Sequence, residues 1–75
     1  MLVDFRTITV EQIRELRRVG AIDIYELMVA IHSADADLRN TARSHCASVF
    51  NAREIERQEQ ERERHKSDLA GHNTD

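Results

Sequence analysis

The chain has 75 residues, of which 33% are charged, and its 11 Lys and Arg against 14 Asp and Glu give a net charge of −3. A chain this short forms one domain at most and buries only about 60% of the surface that its unfolded form exposes. The single cysteine, Cys46, excludes an intrachain disulfide, and no Cys or His spacing is typical of a structural zinc site. The acidic balance is not typical of a general nucleic-acid binder. We therefore expect stability to come from self-association or from a partner.

The sequence favours a cytoplasmic location. No apolar run approaches the ~18–20 residues that a membrane span needs, so no membrane contact is expected. Residues 1–9 do not have the pattern of a secretory signal, and one unpaired cysteine suits a reducing compartment.

The pattern predicts an all-α fold: two short helices in a tight helix-turn-helix-like hairpin, then one long helix with a charged C-terminal half, all preceded by a short extended arm. The predicted elements of this single domain, residues 1–70, are the arm 1–8 and helices at about 10–19, 24–33 and 36–68, with a disordered tail at 71–75. Gly20 can adopt the left-handed conformation that ends the first helix. In the arm, Val3 and Phe5 alternate with Asp4 and Arg6, so it either packs on the chain or pairs as a strand with a second copy.

Two residue pairs have the spacing of a capping box, in which the first side chain accepts from a backbone N–H and the second reaches back. They are Thr9 with Gln12 and Asp23 with Glu26. Hydrophobic staples are expected around them, Ile8 with Ile13 and Ile22 with Leu27. For the third helix, Ser33 or Asp35 can serve as the cap.

The most apolar run of the chain, residues 22–32, is predicted to form the central core helix. One face of it, together with residues of the third helix, is expected to form the core or an oligomer face: Ile24, Leu27, Met28, Ile31, Leu38, Val49 and Phe50.

No catalytic, cofactor-binding or metal site is predicted, and we expect the protein not to be an enzyme. His45 and Cys46 are neighbours on a helix and so point about 100° apart. The four histidines, His32, His45, His65 and His72, have no i,i+4 pair suited to a metal. Cys46 is expected to be a small buried hydrophobe rather than a reactive thiol.

Residues 2–32 resemble the ribbon-helix-helix DNA-binding family in their order of strand, helix, glycine turn and a helix of the kind Glu-Leu-Met-Val-Ala-Ile. The resemblance implies that two copies of the arm pair across a dimer and present Asp4 and Arg6 to the major groove. Basic residues that could then contact nucleic acid are Arg6, Arg14, Arg17 and Arg18. A helix-turn-helix reader does not fit, because Glu15 and Glu26 fall where small or apolar residues are needed.

The leading hypothesis is a small, non-catalytic regulatory or adaptor protein that acts as a homodimer and binds another protein. Its binding surface would be the charged outer half of the third helix or an apolar face that the short helices leave open. The alternative is a dimeric ribbon-helix-helix-like DNA-binding regulator that uses the N-terminal segment.

Overall fold

The computed structural model describes the backbone of residues 2–73 and the side chains of residues 2–63. Over these residues the fold is all-α: α1 (Val10–Arg18), α2 (Ile24–His32) and α3 (Ala36–Asn73) follow an N-terminal arm, with no strand. The two short helices pack against the first half of the long one. This arrangement confirms the predicted fold, a helical hairpin followed by one long helix.

The start of α1 confirms the predicted capping box. The Thr9 hydroxyl accepts from the Gln12 N–H at 3.1 Å, and the Gln12 side chain accepts from the Thr9 N–H at 2.8 Å. Ile8 and Ile13, the predicted staple, are both almost completely buried. Two backbone donors at the helix start are thus satisfied without solvent, and the direction of the incoming arm is fixed.

The end of α1 is a Schellman motif at Gly20. The N–H of Ala21 donates to the carbonyl of Leu16 at 2.8 Å, and the N–H of Gly20 donates to Arg17 at 3.1 Å. Gly20 has φ +79°, which a residue with a side chain rarely adopts. The predicted glycine turn is confirmed, and it explains why α2 can begin only a few residues later.

Asp residues cap the two following helices. Asp23 accepts from the Glu26 N–H at 2.8 Å, but the Glu26 side chain faces His45 instead of returning to the cap, so only half of this predicted box forms. Asp35, rather than Ser33, caps α3 by accepting from the N–H groups of Asp37 and Leu38.

The core is small and combines residues of the arm, α1, the turn between α1 and α2, α2 and α3. Its buried members are Ile8, Ile13, Leu16, Ile22, Ala30, Cys46 and Ala47. Leu27, Ile31, Val49 and Phe50 pack against it and are partly buried. These four belong to the residues predicted for a core or oligomer face, and the other three, Ile24, Met28 and Leu38, are each more than half exposed in the single chain.

The bounds of the helices differ from the prediction mainly at the C-terminus. The residues at which the first two helices were expected to end, Val19 and Ser33, are their C-caps. The third helix continues to Asn73, past its predicted end at residue 68 and through part of the segment predicted as a disordered tail. A glycine inside a helix costs only about 1 kcal/mol relative to alanine, so Gly71 does not have to end it. Residues 74–75 lie outside the described part of the chain.

Candidate interaction surfaces

The N-terminal arm is fastened to α3 by two polar side chains. The Asn51 amide pairs with both backbone groups of Val3, accepting from its N–H at 2.8 Å and donating to its carbonyl at 2.7 Å. Arg43 donates to the carbonyls of Phe5, at 3.0 Å, and of Ile8. Contrary to the prediction, the arm is not extended throughout, because residues 5–7 form a turn.

The turn in the arm is closed by Asp4. Its carboxylate accepts from the N–H groups of Arg6 and Thr7, and these bonds lower the pKa of Asp4 below its ordinary value. Its carbonyl accepts from the N–H of Ile8. In the single chain the backbone of this segment therefore forms hydrogen bonds within its own chain. The ribbon-helix-helix resemblance implies instead that the segment pairs as a strand with a second copy.

The predicted basic residues all lie on the surface. Arg6 lies over the ring of its neighbour Phe5, with its guanidinium carbon 5.3 Å from the ring centre. Arg18 forms an ion pair with Glu15 that lowers the pKa of Glu15 and raises that of Arg18. Arg14 and Arg17 are exposed on α1. The pairing of Arg18 with a carboxylate reduces the positive charge that α1 can offer to phosphate.

Cys46 is fully buried in the core. Burial, reinforced by the charge of Glu26 and opposed by that of Arg43, raises the pKa of its thiol. A protonated and inaccessible thiol is a poor nucleophile. One carboxylate oxygen of Glu26 lies 3.6 Å from His45 Nε2, and its other oxygen is buried without a hydrogen-bond partner among the described residues.

The outer face of α2 carries three large apolar side chains that are exposed. Ile24 is 51% exposed, Tyr25 76% and Met28 55%. A shallow groove of about 350 Å³ runs along this face between Tyr25, Met28, Val29, His32 and Ser33. The prediction for an apolar face named Ile24 and Met28 but missed Tyr25, although its spacing to Met28 and His32 is that of one helix face.

A second groove, of about 440 Å³, separates α1 from the middle of α3. Its floor is apolar and consists of Leu16, Val19 and Phe50. Its rim carries both signs of charge, with Glu15, Arg53, Glu56 and Arg57. Glu54, which also lines this groove, is paired with Arg57, so that part of the charge is neutralised locally.

Among the side chains that the structure describes, no three His, Cys, Asp or Glu come together as a set of metal ligands. In the described residues no helix has both the length and the apolar character to cross a membrane. Comparison with the families of known proteins, with curated proteins and with solved structures gave no match to this chain.

Proposed function

We propose that this protein is a small, non-catalytic regulatory or adaptor protein that self-associates as a homodimer and binds a second protein. The observation that supports the proposal is the outer face of α2. The inner side of this helix packs Leu27, Ala30 and Ile31 toward the core, and yet its outer side is apolar as well. A helix that is apolar on two opposite sides is normally covered on both of them.

The small size of the core supports self-association. Among the side chains that the structure describes only seven are buried, and two of them belong to alanines. In a chain of this length the conformational entropy lost on folding nearly cancels the free energy gained from the core. Burying exposed apolar side chains in an interface with another chain is a common further source of stability. Association through α2 would bury Ile24, Tyr25 and Met28.

The groove between α1 and α3 is the surface proposed for the second protein. An apolar floor with a rim of mixed charge suits the apolar stripe and flanking charges of an amphipathic helix. This groove lies beside the charged half of α3, which supplies Glu56 and Arg57 to the rim. Because the floor residues Val19 and Phe50 are not part of the α2 face, dimerisation and partner binding would use separate surfaces.

A non-catalytic role in the cytoplasm is part of the proposal. The only cysteine is a buried thiol, which is compatible with a reducing compartment. The groove between α1 and α3 is lined by no serine, threonine, cysteine or lysine that could act as a nucleophile: its side chains are carboxylates, guanidiniums, amides and hydrocarbon.

The alternative remains a DNA-binding regulator that uses the arm. Arg6, Arg14 and Arg17 have no ion pair among the described residues, and this is the observation in its favour. It would require the arm to leave Asn51 and Arg43 in order to pair with a second copy, which exchanges existing backbone hydrogen bonds for new ones.

One experiment separates the two functions: analytical ultracentrifugation of the full chain, alone and with a pool of duplex DNA. We expect a dimer alone and DNA binding that is weak, independent of sequence and lost in moderate salt, since the chain has a net charge of −3. Specific binding that disappears in Arg6→Ala, with Asn40→Ala as the control, would favour the alternative. A chain still monomeric at about 1 mM, where association is worth no more than about 4 kcal/mol, would contradict self-association.

A further inference from the structure

We infer that the α2 groove is an antiparallel self-docking site, in which α2 of one protomer lies along α2 of its partner about a two-fold axis between Met28 and Val29. The inference rests on the proposed homodimer and specifies its interface. The groove is bounded by Tyr25, Met28, Val29 and His32, which are residues i, i+3, i+4 and i+7 of one helix. Four residues at these positions form the hole that receives a side chain of a facing helix.

The spacing of these residues is palindromic, so that a second copy of α2 can lie in the groove with the same contacts in both directions. The intervals of three, one and three residues read the same in both directions along α2. A two-fold axis at the midpoint therefore places Tyr25 opposite His32 of the partner subunit, and Met28 opposite Val29 of the partner subunit. An isologous interface requires such self-complementarity of one patch.

Hydrogen bonding and the helix dipoles select the antiparallel orientation over the parallel one. Tyr25 lies near the N-terminal end of α2, and His32 lies at its C-terminal end. An antiparallel pair aligns the two helix dipoles in opposite directions. It also offers each Tyr25 hydroxyl a ring nitrogen, whereas a parallel pair would set histidine against histidine.

Other charged groups of α2 do not oppose this contact. His32 is the one ionisable group besides Tyr25 among the residues that line the groove. Glu26 faces His45 on α3, on the side toward the core. The helix has nine residues, about 13 Å of length, so the contact is small and the dimer should dissociate readily on dilution.

Disulfide trapping tests both the face and the orientation. Tyr25→Cys and His32→Cys are made as separate chains, each at an exposed position where the substitution does not disturb the core. In the antiparallel pair, position 25 is about 10 Å along the axis from its own copy and beyond the reach of a disulfide, but it faces position 32. We expect oxidation to cross-link the mixture of the two variants and neither variant alone. Ser44→Cys, exposed on α3, is the control for random collision, and the buried Cys46 of the wild type should stay unreacted.

A second variant pair measures affinity. Met28→Glu places two like charges beside the axis and should weaken the dimer more than about tenfold, whereas Met28→Leu should retain it. Cross-linking of each variant alone but not of the mixture would overturn the antiparallel arrangement. A wild-type dimer that Met28→Glu does not weaken would overturn the α2 interface while leaving the proposed homodimer intact. A wild type that is monomeric at every concentration would contradict the homodimer itself.

Discussion

Asn51 and Arg43 act as substitutes for a neighbouring strand. Between them they satisfy four backbone groups of the arm: the N–H and carbonyl of Val3 and the carbonyls of Phe5 and Ile8. The arm can therefore lie across α3 without leaving buried polar groups unpaired. Sequence reasoning could not find this contact, because the partners are 35 to 48 residues apart and a lone asparagine or arginine on a helix is usually solvated.

Replacing Asn51 with alanine should destabilise the protein by about 1–2 kcal/mol, since two hydrogen bonds are lost and both backbone groups of Val3 are left without partners. Urea unfolding measures the change. Asn40→Ala is the matched control, because Asn40 is exposed on the same helix and gains the same helix propensity on substitution. Equal stability of the two variants would show that water replaces the amide without cost.

The buried thiol of Cys46 should make stability depend on pH in the alkaline range. Its pKa is raised in the folded state, mainly by burial, so above about pH 8.5 the unfolded chain releases this proton while the folded chain retains it. The contribution is thus complete at neutral pH and is lost as pH rises through the folded-state pKa. Unfolding free energies from pH 7 to 10 should fall more steeply for the wild type than for Cys46→Ala. Parallel curves would mean that the thiol titrates normally.

At the scale of elements, the helices were predictable because their signals are local. The Thr9 capping box, the Gly20 turn and the Asp35 cap each involve residues within a few positions of one another. Which side of α2 is buried could not be predicted, because apolar residues occur on both sides of the helix. Hydrophobic periodicity does not indicate which of two apolar faces packs against the core. Packing against α3 buries Ala30 and partly buries Leu27 and Ile31, leaving Ile24 and Met28 exposed.

The long helix α3 should differ in stability along its length. Its residues 46–50 pack against α1 and α2, while all described side chains from 58 to 63 are exposed. Helix propensity alone sustains short segments only marginally, so local opening should be easier beyond the groove. Amide hydrogen exchange should show strong protection at 46–50 and progressively less after Gln60, which is the last residue of α3 to line the groove. Protection at 58–63 equal to that at 46–50 would identify a further surface that covers this stretch.

The whole molecule is elongated, with principal extents of 61 × 20 × 14 Å, because α3 continues beyond the two helices that pack on it. Little of the chain is therefore far from solvent. The exposed apolar residues of α2 form a large share of the apolar surface that an interface with another chain could bury. A two-fold pairing of α2 would place the core of the assembly between two small hairpins, while both α1–α3 grooves stay accessible. This arrangement joins the two roles of the proposed function: one surface for the second copy and another for the partner protein.

Such an assembly predicts that thermal stability depends on protein concentration. Because only the folded chain associates, dilution favours unfolding, and for a dimer of this size Tm should rise by about 3–5 °C for each tenfold increase in concentration above the dissociation constant. Circular dichroism melts of the wild type over a wide concentration range measure this slope. Met28→Leu should keep the slope. Met28→Glu should show it only at concentrations more than about tenfold higher and melt at a constant temperature below them, because its charge opposes association while its exposed position leaves the fold intact. A concentration-independent Tm in all three chains would mean that the apolar face of α2 remains open to solvent in the folded protein, and the exposed Ile24, Tyr25 and Met28 would then have to be covered by the second protein alone.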